Sequence, residues 1–259
     1  EDINGDGNLE VIVACTKNGT NINNLWVFKN NGDLLWNIDL DIVPQFLAVG
    51  DLDRDGQKEI VISGFQQEGK YWLQRTSKVY VLNSDSTLKW VKDFEPGNYY
   101  SFNVRPLIGD LDGDGLLEVI ASYNLIDRQN LLAPAKYGVM AYQHNGQIMG
   151  GWPFERPGFG VTFCSLANLE KDGSSQVVAA IDGLDERRLY ILKQKSSSSI
   201  SSFSFDLVND SPANYQPIVG DINGDSIPEI ILKTKVMGLE FVANLDIFNF
   251  NGSAIVRSP

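Results

Sequence analysis

The sequence is short of the side chains on which most enzymes rely. Only two cysteines, Cys15 and Cys164, and one histidine, His144, occur in 259 residues. Two cysteines cannot build the disulfide framework of a small secreted scaffold. Both lie in apolar, strand-like runs and read as buried free thiols, with a bridge as the alternative. His144 falls in Gln-His-Asn-Gly, a turn pattern, and a lone turn histidine supplies neither a His-based zinc site nor a Ser-His-Asp triad. Positive charge is also scarce: 21 Lys and Arg stand against 33 Asp and Glu, a formal net charge of −12. Nucleic acid and anionic membranes demand a basic surface, so neither is an expected partner. No apolar run approaches the roughly eighteen residues of a bilayer-crossing helix, so this segment is not expected to insert into a membrane. Amphipathic helical periodicity is missing too, although a hydrophobic fraction of 43% supports a substantial core.

What the sequence does contain is repetition. Asp-Ile-Asn-Gly-Asp-Gly-Asn-Leu-Glu from Asp2, Asp-Leu-Asp-Arg-Asp-Gly-Gln-Lys-Glu from Asp51 and Asp-Leu-Asp-Gly-Asp-Gly-Leu-Leu-Glu from Asp110 superimpose residue by residue. A weaker copy begins at Asn168 and a fifth at Asp221, so successive starts lie 49, 59, 58 and 53 residues apart. Each is followed by a short β-branched run such as Val11-Ile12-Val13 or Ile60-Val61-Ile62, then by a second apolar run, a polar turn such as Asn31-Gly32, and a third run. Leu34–Trp36, Leu88–Trp90 and Ile148–Trp152 are the expected third strands, and a fourth strand precedes each acidic motif. A period near fifty with four strands predicts an all-β fold, a β-propeller of four-stranded antiparallel blades. Residues 1–259 are expected to form one propeller domain with about five blades visible, cut at both ends, as part of a larger ring or, alternatively, as a closed ring of five.

The chemistry lies in the spacing Asp-x-Asp-x-Asp-Gly-x-x-Glu. Oxygen-bearing side chains at positions 1, 3 and 5 of a tight loop converge, as in the first half of an EF-hand. Glycine at position 6 permits the turn, and position 7 offers a carbonyl. Position 9 opens a strand here, not a helix, which excludes the EF-hand itself. The expected metal ligands are Asp2, Asn4, Asp6, Asn8 and Glu10; Asp51, Asp53, Asp55, Gln57 and Glu59; Asp110, Asp112, Asp114, Leu116 and Glu118; and Asp221, Asn223, Asp225, Ile227 and Glu229. The copy with Asn168, Glu170, Asp172 and Gln176 has lost charge and is expected to bind weakly or to be held by hydrogen bonds alone. Asp, Asn and Gly are also ordinary turn formers. Four near-copies in register favour metal, however, because clustered carboxylates repel unless a cation sits among them. Hard oxygen donors favour calcium over magnesium, in up to four or five structural ions that would offset much of the negative charge.

The repeated Gly-Asp-Leu-Asp-x-Asp-Gly-x-x-Glu unit, with the Phe159-Gly160 pair ahead of the fourth loop, resembles the FG-GAP (integrin-α-like) β-propeller repeat. The Gly-Ala-Pro half of that signature is missing and position 9 is Glu, so the chain looks closer to microbial secreted or surface members than to integrins. The resemblance implies calcium between the first two strands of a blade, an extracellular, secreted or cell-surface location, and a role in adhesion or in binding a protein or carbohydrate ligand. A structural subunit of an extracellular assembly and a propeller-based polysaccharide lyase or hydrolase are the alternatives. No catalytic residue is assigned, and a binding module is preferred over an enzyme without the question being closed.

Alternating strand direction puts the acidic loops and the Asn-Gly-type turns at one end of the propeller. At the other end, long connections from Gly64 to Lys78 and from Ser122 to Tyr137 carry candidate ligand-facing residues: Tyr71, Trp72, Arg75, Tyr123 and Arg128, joined by Tyr99 and Tyr100. These also suit an interface with a neighbouring subunit or domain. Phe46, Arg105, Phe163 and Gln216 share one register on the innermost strands, where Arg105 either meets a ligand or lines a solvated channel. Asn18, Asn209 and Asn251 fit the glycosylation triplet, in keeping with an extracellular setting.

Overall fold

A computed structural model describes residues 1–16, 23–67, 75–94, 99–130, 134–158, 160–183, 187–207, 216–236, 242–249 and 254–257. Among them there are nineteen strands and no helix, hence no helix long and apolar enough to cross a membrane. The strands form five antiparallel sheets in chain order. The first holds β1 (Val11–Thr16), β2 (Asn23–Phe28) and β3 (Leu34–Asp39). The second holds β4 (Val43–Gly50), β5 (Glu59–Gln67), β6 (Arg75–Leu82) and β7 (Leu88–Asp93). The third is β8 (Tyr99–Gly109), β9 (Glu118–Asp127), β10 (Pro134–Tyr142) and β11 (Phe154–Pro157). The fourth is β12 (Gly160–Ala167), β13 (Gln176–Gly183), β14 (Arg187–Ser196) and β15 (Ser199–Asp206). The fifth is β16 (Ile218–Gly220), β17 (Glu229–Val236), β18 (Val242–Phe248) and β19 (Ala254–Arg257). Every sheet after the first is a simple meander, the expected blade.

The uninterrupted β-branched runs follow from burial on both faces. Along β5, Ile60 and Ile62 pack with Leu25, Val27 and Ile42 around the first sheet, while Val61 turns towards Val119 and Ala121 of the third. Along β13, Val177 and Ala179 join Ile120 and Tyr137, whereas Val178 and Ala180 meet Ile230 and Phe248. Four such cores link the five sheets pairwise. Side chains of period two therefore serve two neighbours, and a half-polar alternating pattern would leave one neighbour without a core.

Tryptophans stitch the sheets together as well. Trp36 Nε1 donates to the Ser84 carbonyl at 2.8 Å, Trp90 Nε1 to the His144 carbonyl at 2.9 Å, and Trp152 Nε1 to Gln194 Oε1 at 2.7 Å. Each reaches the following sheet, so the recurrent Trp of the third run has both an apolar and a polar anchor.

Several expectations need correction. Cys164 is buried, but Cys15 is exposed, since β1 presents Val11, Val13 and Cys15 on a face that no described sheet covers. Ile148 makes only an isolated bridge to Tyr142, and the outer strand of the third sheet is instead Phe154–Pro157. The reason lies at Gly150: a Cβ there would come within 1.9 Å of the Ser197 carbonyl, so this stretch is pressed against the turn of the fourth sheet. The two long connections are also shorter than expected, because polar pairs such as Gln66↔Thr76 and Tyr137↔Asn124 continue the ladders beyond the apolar runs.

Candidate metal centres

Each acidic motif forms the corner between the innermost strand of a sheet and its neighbour. The motif at Asp2 stands before β1 alone. Position 1 organises the corner: Asp110 accepts from Gly113 N at 2.6 Å and Gly115 N at 2.9 Å, and Asp221 accepts from Gly224 N at 2.7 Å and Ser226 N at 2.6 Å. Asp2 and Asp51 accept from the same part of their own loops. The backbone must turn left-handed twice, at position 6 as the sequence indicates and at position 4 as it does not. Position 4 has φ of 75° at Gly5, 61° at Arg54, 80° at Gly113, 57° at Lys171 and 79° at Gly224.

Position 9 does more than offer a ligand. Its side-chain oxygen accepts the position-2 amide in all five corners: Glu10 from Ile3 at 3.0 Å, Glu59 from Leu52 at 2.8 Å, Glu118 from Leu111 at 2.7 Å, Gln176 from Leu169 at 2.7 Å and Glu229 from Ile222 at 3.0 Å. Gln176 thus keeps the structural role of the acid without its charge. Sequence reasoning passed over position 2, whose apolar character was the available signal. Ile3, Leu52, Leu111 and Leu169 are buried between sheets, while Ile222 is 51% exposed. The corners are also chained: Lys58 N donates to the Ile3 carbonyl at 2.9 Å, Leu117 N to the Leu52 carbonyl at 3.0 Å, and Ser175 N to the Asp110 carbonyl at 2.6 Å. The fifth corner has Pro228 at that donor position and no amide hydrogen to give.

Two corners gather three carboxylates. Oxygens of Asp51, Asp53 and Glu59 lie within 4.8 Å of one another, as do those of Asp110, Asp112 and Glu118. Oxygens held about 2.3–2.6 Å from one calcium ion stand no more than about 5 Å apart, so both trios fit a calcium-sized cation. Position 5 lies outside both trios. Asp55 and Asp114 instead accept from Gln57 N and Leu116 N, each at 2.8 Å. In the first and fifth corners Asn4 and Asn223 stand at position 3, and no trio of carboxylates forms among the described residues. The Asn-Gly-type turns share this end, as expected: Asn30 Nδ2 reaches Asn8 Oδ1 at 3.1 Å and Ser84 Oγ reaches Gln57 Oε1 at 2.6 Å.

Electrostatics separates the corners. In the second, Lys89 Nζ lies 2.5 Å from Asp53 and 2.9 Å from Glu59. Its hydrogen bond holds the Asp53 carboxyl below the usual range, although Asp53 Oδ1 remains buried without a partner. In the fourth, Lys193 pairs with Glu170 and with Asp172, the latter at 2.6 Å, and together with Ser174 brings the Asp172 carboxyl down to about 2. Among the described residues the third corner has no ion pair of its own. Arg54 rests against Gly115 but pairs with none of the three acids. Burial, reinforced by the charges of Asp112, Asp114 and Asp110, pushes Glu118 up to about 8, and burial raises Asp112 too. Glu118 is 2% exposed, and a cation among the trio would remove its penalty.

The opposite end holds fewer of its expected residues. Tyr123 belongs to β9, is 1% exposed, packs its ring at a tilt 5.3 Å from that of Phe94 and donates its hydroxyl to Glu155; it is a core residue, not a ligand contact. Arg75 lies 3.9 Å over the Phe65 ring, and Arg128 Nη2 donates to Thr76 Oγ1 at 3.0 Å. Tyr99 and Tyr100 begin β8. Tyr71, Trp72, Asn18, Asn209 and Asn251 lie outside the described residues, as does Phe159.

Residues 2–62 match the family model of the FG-GAP-like repeat, in agreement with the resemblance carried by the acidic motif. No curated protein matches the chain. Among solved structures, the exotype rhamnogalacturonan lyase YesX is similar over 93% of this chain and 49% of its own, at 15% identity and a TM-score of 0.56. The Bacillus licheniformis rhamnogalacturonan lyase PL11 is similar over 93% and 60%, at 14% identity and 0.54. The Pseudomonas aeruginosa periplasmic gluconolactonase PpgL is similar over 96% and 68%, at 13% identity and 0.51. The chain thus spans about half to two-thirds of these proteins' length. At such identities the likeness is one of fold, an all-β propeller-like arrangement of antiparallel sheets.

Proposed function

We propose that this chain is a calcium-stabilised β-propeller of an extracellular, secreted or surface protein, in which cations pin the blade corners and the body presents a binding surface for a protein or carbohydrate ligand. The observation that carries the reading is the unpaired trio of Asp110, Asp112 and Glu118, whose charges repel within 4.8 Å and which lacks the lysine found in the second and fourth corners. Asp110, Asp112 and Glu118 would hold the ion, which supplies charge neutralisation there; Asp51, Asp53 and Glu59 would hold another if Lys89 swings aside. Their ligands sit in the turn between the innermost strand of a sheet and its neighbour, so the ions are read as structural. Calorimetric titration of metal-free protein tests this. Loss of one calcium-binding step in Asp112→Ala supports the reading, and equal heats in the two proteins refute it.

The second reading is an enzyme acting on polysaccharide, favoured by the carbohydrate-acting propellers among the similar folds. Release of unsaturated sugars from pectic substrates would establish it over a pure binding module.

A further inference from the structure

Phe46, Arg105 and Phe163 each stand five residues before the first position of their own acidic motif, on β4, β8 and β12. The sheets bring these equivalent positions together. The Arg105 guanidinium carbon lies 4.7 Å from the centre of the Phe46 ring and 4.8 Å from that of Phe163. With rings on two sides, the guanidinium has its in-plane N–H edge left for a partner. Among the described residues it has none: Arg105 makes no ion pair or hydrogen bond, and its Nε is buried without an acceptor. Across the β8–β9 ladder, Arg105 is paired with Ser122, which is 1% exposed and whose Oγ also lacks a partner. The counterpart of Ser122 in the second sheet, Ser63, is satisfied by the Val104 carbonyl at 2.6 Å. Two unsatisfied polar groups at one spot are costly, because each has given up water without a replacement.

Both groups border a cavity of about 330 Å³ shared with Gln45, Phe46 and Gln216, and among the described residues no carboxylate lines it. A planar guanidinium offering its edge matches two oxygens of a carboxylate or of a phosphate, and of the two the singly charged carboxylate is repelled less by an acidic protein. The volume suits one sugar-sized molecule, and a protein of net charge −12 repels polyanions. We propose that the inner-strand cavity around Arg105 and Ser122 is a binding site for a small hydroxylated carboxylate. Arg105 takes the carboxylate edge-on, Ser122 Oγ bonds to it or to an adjacent hydroxyl, and the Gln45 and Gln216 amides meet the remaining hydroxyls.

The inference rests on the reading of the propeller as a ligand-binding body but shares no residue with the acidic corners, so the two fail separately. Calcium-loaded protein is titrated with D-glucuronate and with D-glucose, following the arginine Nε–Hε resonances and the heat of binding. Glucuronate is expected to shift the Arg105 resonance and glucose to leave it in place. Arg105→Met, which keeps the stem between the rings, should weaken glucuronate binding by more than about tenfold, and Ser122→Ala by a smaller factor. Should Arg105→Met fail to fold, the wild-type resonance and Ser122→Ala decide. A still Arg105 resonance, equal binding of glucose, or undiminished affinity in a folded Arg105→Met protein would overturn the proposal.

Discussion

Ser226 adopts φ of 66° at the corner position where the other four motifs have glycine. A Cβ in the left-handed region costs about 1–2 kcal/mol, partly offset by the lower chain entropy of serine when unfolded. Ser226→Gly is therefore expected to stabilise the protein by about 0.5–1 kcal/mol, read as a rise in the urea midpoint at unchanged slope. Asp41 provides a case with a pH signature. It accepts from Lys78 Nζ at 2.6 Å, from Gln66 Nε2 at 2.8 Å and from the Tyr80 hydroxyl. Burial pushes its carboxyl up, but the Lys78 and Tyr80 bonds outweigh burial and hold it below the ordinary value. A depressed folded-state value contributes stability above the unfolded pKa of about 3.9 and loses it as pH falls through the folded value. Asp41→Asn should lower the melting temperature by about 1–3 °C at pH 7, a small effect because the group is half exposed, and the gap should close in acid.

The acidic corner was legible as an element because its signals are local: alternating oxygens, a glycine and a following β-branched run. Its wiring was not. That Glu118 caps the Leu111 amide, or that Leu117 reaches back to Leu52, depends on how one loop meets its own strand and the next sheet. Tyr123 was misread for a related reason: polar cross-strand pairs prolong β9 beyond its apolar run, and an aromatic placed on a loop becomes core. Lys89 stands 36 residues after Asp53, and no motif spacing announces that it sits among the acids of the second corner. This difference predicts unequal sites. Lys89→Met should raise calcium affinity at the second corner, measured by titration in an Asp112→Ala background so that the third is silent. At the same scale, Trp90→Phe keeps an aromatic side chain but removes the indole N–H bonded to the His144 carbonyl together with part of the buried ring, and should cost at least about 1 kcal/mol in urea unfolding.

Across the molecule, the four shared cores make each sheet depend on its neighbours, so a cation at one corner is felt along the row. Ligand binding to the folded state alone adds about 2.7 kcal/mol at a hundredfold excess over Kd, or about 5–10 °C for a chain of this size. Chelation should lower the melting temperature by that order, and added calcium should restore it. Scanning calorimetry checks both, and a melting curve indifferent to chelator would remove the cations from the account.

The amide-to-carbonyl relay between successive corners has a consequence for how such a chain diversifies. Each of the first three corners is held to the next by its backbone, so one inserted residue would throw two neighbours out of step. The nine-residue motif is invariant in length while the full period wanders from 49 to 59. Growth and trimming thus fall outside the motif, as in the connection 143–153 of the third sheet against 83–87 of the second. Novelty in what the molecule grips would arise there, at the far rim or in the bore, without disturbing the acidic crown.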